Sequence, residues 1–157
     1  MSARTAPAAV ATASVFAGGA LLTQTVVVPH WRALDPAAFH ARFAVEGPAS
    51  GATVFPFELA AVVLLAVTTW SAVRNREPRR LLWALATGCM LGTLLVLAYF
   101  VPADLALLGH GIPPDALPAQ LAVWYRWNWV RTGLGLASAA LACAAATTAR
   151  RRSRRRR

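Results

Sequence analysis

Trp124-Tyr125-Arg126-Trp127-Asn128-Trp129-Val130-Arg131 is the stretch on which the fold of this chain turns. It holds three of the six tryptophans and leads straight into an apolar run that reaches about residue 148. Aromatic residues at the mouth of such a run are what a membrane interface selects. Two arginines and an amide are not needed for anchoring, and in apolar surroundings they demand partners. On a helical projection Leu121, Trp124, Asn128, Arg131 and Gly135 share one face, which the spacing turns inward. Trp127, Trp129 and Arg126 fall on other faces, as anchors.

Three more apolar runs precede this one, at about 7–28, 56–73 and 81–101. Each is about 18–22 residues long, the length of a spanning helix, and only a helix closes its own backbone hydrogen bonds in lipid. The composition agrees. Hydrophobic residues make up 57% of the 157 and charged residues 14%, against about 25% charged in soluble domains. The first run follows Arg4 and is too long for a signal peptide's apolar region, so it is read as a retained span. The expectation is an all-α, up-down, four-helix membrane bundle over residues 1–149, with a basic tail at 150–157.

The links differ in character. Asp35-Pro36 reads as an N-cap followed by proline at the first helical position. The spacing predicts a short interfacial helix from there to about Val45, resting on Phe39 and Phe43, and ended by Gly47, Pro48, Ser50 and Gly51. Residues 74–80 form a tight basic turn. Residues 102–120, with four prolines and two glycines, are expected to be irregular. In the third run Ala84, Gly88 and Gly92 recur every fourth residue. Gly133, Gly135, Ser138, Ala139 and Ala142 in the fourth are similarly small, and both sets suit close helix approach.

Arginine placement sets the orientation. With the N-terminus inside, the inner side collects Arg4, four arginines of the 74–80 turn and the seven between Arg150 and Arg157, against the single acid Glu77. The outer side holds Arg32, Arg42, Arg126 and Arg131 against Asp35, Glu46, Glu58, Asp104 and Asp115. The positive-inside rule then puts both termini in the cytoplasm of a multi-pass cell-membrane protein. The net charge of +10 therefore does not imply nucleic acid. The Arg150 to Arg157 tail is expected to lie on anionic lipid, at about 1 kcal/mol per arginine. Cys89 and Cys143 lie inside apolar runs and read as small buried hydrophobes.

In this orientation the unusual polar residues gather at the outer face: Thr23, Gln24, Thr25, His30 and Arg32 from the first run, Glu58 from the second, Tyr99 and Asp104 from the third, Arg126, Asn128 and Arg131 from the fourth. Each has a plain structural use as well. Gln24 suits a single interhelical hydrogen bond, Glu58 and Arg131 an ion pair fixing helix register, and Asp104 a cap. His30 suits a wetted surface; His110, in the proline-rich loop, is a weaker candidate still, and His40 is expected to be exposed. Glu58, Asp104 and Arg131 are expected to satisfy one another. Convergence from all four runs is the signal. No phosphate loop, metal-type histidine pair or nucleophile elbow is present, so any catalysis is expected to need no metal or other cofactor.

Phe16-Ala17-Gly18-Gly19 leading to Val28-Pro29 and the Phe39/Phe43 helix, Val101-Pro102-Ala103-Asp104, and Trp124-x-x-Trp127-Asn128-x-x-Arg131-Thr132 together resemble the anthrone oxygenase-like family of small four-span membrane proteins. The resemblance covers nearly the whole chain, although the family pattern has asparagine where Asp104 stands. It implies cofactor-independent oxygenation of a flat lipophilic substrate by dioxygen. Glu58 or Asp104, or more weakly His30, is then the base, Arg131 and Asn128 the oxyanion clamp, and Trp124 the stacking wall; Gln24 and Tyr99 complete the substrate site. The alternative is a non-enzymatic binder of a small molecule or lipid, or an accessory subunit of a membrane complex.

Overall fold

The computed structural model describes residues 5–109 and 112–154, with side chains described as far as residue 147. Among them every regular element is helical. The first helix, α1 (Thr5–Leu22), passes through a π turn (Thr23–Val27) into the short α2 (Val28–Arg32). Three long helices follow: α3 (Pro36–Arg74), α4 (Arg80–Leu108) and α5 (Leu117–Arg154). The first helix with its continuation and the three long ones are each long and apolar enough to cross a membrane. α1 and α4 each pack between α3 and α5. His110 and the side chains of the Arg150 to Arg157 tail lie outside the described residues.

The surface is apolar. Leu95 is 77% exposed and Trp70 71%, with Leu81, Leu105 and Val63 also open. Patches of that kind require a covering of matching chemistry. The interior has two apolar clusters. One is rich in alanine: Ala9, Ala13, Phe16, Leu65, Trp83, Ala86, Met90 and Ala142. The other is aromatic: Trp31, Phe39, Phe43, Phe100 and Trp124 with Val28, Leu107 and Leu121. The buried polar residues Gln24, Glu58, Thr93, Asn128 and Thr132 fall between the two clusters along each helix.

Three expectations for the links are corrected. The predicted short helix does not end at Val45. Asp35 caps it as predicted, its carboxylate accepting from the Ala38 N–H at 3.0 Å, but α3 then continues through Gly47, Pro48 and Pro56 to Arg74. An interior proline costs roughly 3 kcal/mol. Burial of Phe39 and Phe43, and a bond from the Trp31 indole N–H to the Glu46 carboxylate at 2.8 Å, hold the helix across it. Thirty-nine residues make a rod of about 58 Å, far longer than a bilayer core, so its first third stands beyond the apolar run. Likewise α4 runs through Pro102 to Leu108, and α5 starts at Leu117, not near 127. Leu117, Leu121 and Trp124 are buried at helical spacing, and Pro118 in the first turn does not oppose a helix. His40 is half-buried rather than exposed, with Nδ1 3.1 Å from the Leu107 carbonyl.

The π turn was not anticipated, yet it has a local cause. Pro29 has no N–H and its ring crowds the carbonyl four residues back. The Val28 N–H reaches instead to the Thr23 carbonyl, a five-residue step that widens the turn.

Small residues serve unequally. Ala84 and Gly88 are exposed and only Gly92 meets a neighbour, Leu134. Gly135 is the tight position: a Cβ there would lie 2.8 Å from Phe16 Cε1, and that ring is fully buried. Gly135→Ala is therefore expected to destabilise by roughly 1–3 kcal/mol as overpacking outweighs the helix-propensity gain. Gly133→Ala, where a Cβ meets nothing, is expected to be neutral or stabilising. Thermal melts of the two variants in one detergent check the difference.

Candidate functional site

The side chains singled out in the sequence separate into three groups. The first is a diagonal lock. Arg131 of α5 donates through Nη2 to Glu58 Oε2 of α3 at 2.5 Å. The Glu58 side chain is fully buried and that of Arg131 is 15% exposed. The guanidinium also lies over the rings of Phe16, at 5.0 Å, and Phe100, at 6.0 Å, where cation–π attraction favours it. The pair is incompletely satisfied: Glu58 Oε1 and Arg131 Nε are buried without a hydrogen-bond partner among the described residues.

A second lock ties the π turn to α5. Asn128 Nδ2 donates to Gln24 Oε1 at 2.5 Å, and Gln24 Nε2 donates to the Tyr125 carbonyl at 3.3 Å. Thr132 adds a longer bond to the Ala20 carbonyl.

The third group is Asp104 with Trp124. Asp104 does not join the Glu58–Arg131 pair as expected. Its Oδ1 accepts from the Trp124 indole N–H at 2.7 Å. The register of α4 against α5 decides this, and α4 reaches it only because the helix passes Pro102. Trp124 is further walled by Phe100, with ring centres 5.1 Å apart, and by Trp31 at 6.1 Å, both edge-on. Trp31 stands edge-on to Phe43 in turn. This is the geometry in which the positive rim of one ring meets the negative face of the next.

These groups border a cavity of about 430 Å³, within the size range of small-molecule pockets. Its wall includes Trp31, Phe43, Phe55, Phe100 and Trp124, the small residues Gly47, Gly51 and Ala52 with Pro56, and the polar Thr23, Ser50, Asp104, Asn128 and Arg131. Asp104 is the sole carboxylate among its lining residues and Arg131 the sole cation. Pro56 has no N–H to give to the Ala52 carbonyl. Both residues line the cavity, so that missing bond lies along its wall.

Other expected members stand apart. Gln24 and Glu58 reach the cavity only through Asn128 and Arg131. His30 is exposed and lines no part of it. Tyr99 stacks on Trp127 at 5.5 Å, and its hydroxyl is buried without a partner among the described residues; it does not line the cavity either. Trp127 and Trp129 are exposed, as the projection places them. Trp31, Phe43 and Phe100 were not anticipated as wall residues. Trp31 carried a legible signal: a tryptophan between Pro29 and Asp35 in an otherwise polar link. No group of metal-binding side chains occurs among the described residues. No protein-family model matches the chain, and no curated protein or solved structure does either.

Proposed function

We propose that this chain is a four-span, up-down cell-membrane protein with both termini in the cytoplasm, and that its cavity oxygenates a flat, lipophilic, acidic-CH substrate of the anthrone type. Membrane insertion is supported by the apolar surface and by the arginine asymmetry. The observation that carries the chemistry is the cavity itself. It sets one carboxylate, Asp104, and one guanidinium, Arg131, among four aromatic side chains of the aromatic cluster, Trp31, Phe43, Phe100 and Trp124.

The steps balance without a further co-reactant. Asp104 takes one proton from the ring CH₂, leaving an enolate whose oxygen the Arg131 guanidinium holds. Dioxygen adds at the same carbon and oxidises it to a hydroperoxide, which takes its proton back from Asp104. Loss of water leaves the ketone of a quinone. One oxygen atom stays in the product and the other leaves as water. Trp124 provides a flat wall, while its N–H keeps Asp104 oriented. Glu58 is not on the cavity wall and serves by holding Arg131.

Purified protein in detergent is expected to oxidise emodin anthrone under air faster than detergent alone, with oxygen uptake matching quinone formation. Gly51→Trp is the matching block. Gly51 lines the cavity and a Cβ there meets nothing within 4 Å, so a side chain can start from this wall without a clash at its root. Its rate is expected to fall to the detergent background with the melting temperature unchanged. A wild type no faster than background excludes this substrate class.

One observation favours a second use for the same residues. Gln24 with Asn128, and Glu58 with Arg131, bond to each other across helices, as register locks do. In that reading the cavity holds a lipid or small molecule, or the chain assembles with a larger complex, with no reaction. Variants that lose stability but no chemistry support it.

A further inference from the structure

Asn128 carries an amide on the cavity wall whose orientation is settled by the backbone. Gln24 Nε2 faces the Tyr125 carbonyl, and a peptide carbonyl only accepts. The amide of Gln24 therefore cannot be turned round, and its Oε1 must point the other way. That oxygen takes its hydrogen bond from Asn128 Nδ2. The nitrogen of Asn128 is thus turned toward Gln24, and its carbonyl oxygen Oδ1 is turned away. Asn128 is only 3% exposed, yet Oδ1 is not one of the fully buried unpartnered atoms, which are Glu58 Oε1, Tyr99 Oη and Arg131 Nε. Asn128 lines the cavity, and with Nδ2 committed to Gln24 the polar side-chain atom it has left for that wall is Oδ1.

We propose that Gln24 is a positioning residue that sets the polarity of this wall: by fixing Asn128 it presents a carbonyl oxygen to the cavity, which selects ligands bringing a hydroxyl donor to that point. The assignment rests on the reading of the cavity as a ligand site, and it narrows what the ligand must carry. A ring with a free hydroxyl satisfies Oδ1. The same ring with a methoxy group brings a second acceptor and leaves Oδ1 unpaired, which is the costly case for a buried polar atom. The π turn places Gln24 opposite Tyr125 and Asn128, and such turns recur at functional positions.

The test uses the full chain in detergent and two coloured, unreactive probes, 2,6-dihydroxyanthraquinone, whose hydroxyls are clear of the ring carbonyls and free to donate, and 2,6-dimethoxyanthraquinone, titrated by absorbance and tryptophan quenching. The wild type is expected to bind the dihydroxy probe roughly tenfold more tightly. In Gln24→Met the Asn128 amide is free to turn, and the ratio is expected to fall to about one while affinity for the dimethoxy probe holds. Gln24→Glu keeps an oxygen for Asn128 Nδ2, so its preference is expected to survive; it also decides the matter if the methionine variant does not fold. A preference that persists in Gln24→Met, or is lost in Gln24→Glu, overturns the assignment. Equal binding of both probes by the wild type also overturns it but leaves the cavity as a ligand site. Failure of the wild type to bind either probe overturns the cavity reading itself.

Discussion

Glu58→Leu is expected to lower the unfolding free energy in detergent by roughly 3–5 kcal/mol, and Arg131→Met by a similar amount, whereas the double variant recovers most of the loss. The asymmetry follows from burial. The Glu58 side chain is fully buried and bonds to Arg131 across the bundle. Removing either partner leaves a charge in an apolar interior with nothing to offset its desolvation. Removing both deletes two groups that are already incompletely satisfied, since Glu58 Oε1 and Arg131 Nε have no partner among the described residues. Unfolding in mixed micelles of increasing denaturing detergent checks this. Additive losses in the double variant contradict the coupling. The double variant also separates structure from chemistry: it is expected to be folded and inactive, because Arg131 lines the cavity and Glu58 does not.

Asp104→Asn is expected to slow anthrone oxidation by about 10²- to 10⁴-fold, the usual worth of a positioned general base, and to leave the fold intact. Asparagine keeps a carbonyl oxygen where Oδ1 accepts from the Trp124 indole, so the α4–α5 contact at 2.7 Å survives. What it removes is the only proton acceptor of carboxylate strength on the cavity wall. A variant that keeps its rate assigns proton abstraction elsewhere and leaves Asp104 as a partner of Trp124 alone.

The inward face of α5 was legible because the residues that must be explained lie at helical spacing. Trp124, Asn128 and Arg131 recur every three or four positions, and an arginine in an apolar run needs a counter-charge. Glu58, two residues past Pro56, was the nearest candidate within such a run. Partners set by helix register were less legible. In the sequence Asp104 reads as a cap or as a partner of Glu58 and Arg131, and its bond to Trp124 follows only once α4 passes Pro102. Gly47 and Pro48 are strong local stop signals, and they were overruled by the burial of Phe39 and Phe43, a tertiary effect that no local pattern carries. The π turn belongs to the same class. Pro29 announces a disturbance, and packing against α5 determines that it is absorbed by a wider turn. His30 was grouped with the site by position along the chain, and α2 turns it outward, where it is exposed.

The most direct measurement is the initial rate of quinone appearance from emodin anthrone under air, followed side by side for wild type, Asp104→Asn and protein-free detergent, at equal folded fraction. A wild-type rate well above the other two, with the variant at the detergent background, is the predicted result. Equal rates for wild type and Asp104→Asn contradict the assignment of Asp104 as the base, and equal rates for all three contradict oxygenation of this substrate class in the cavity.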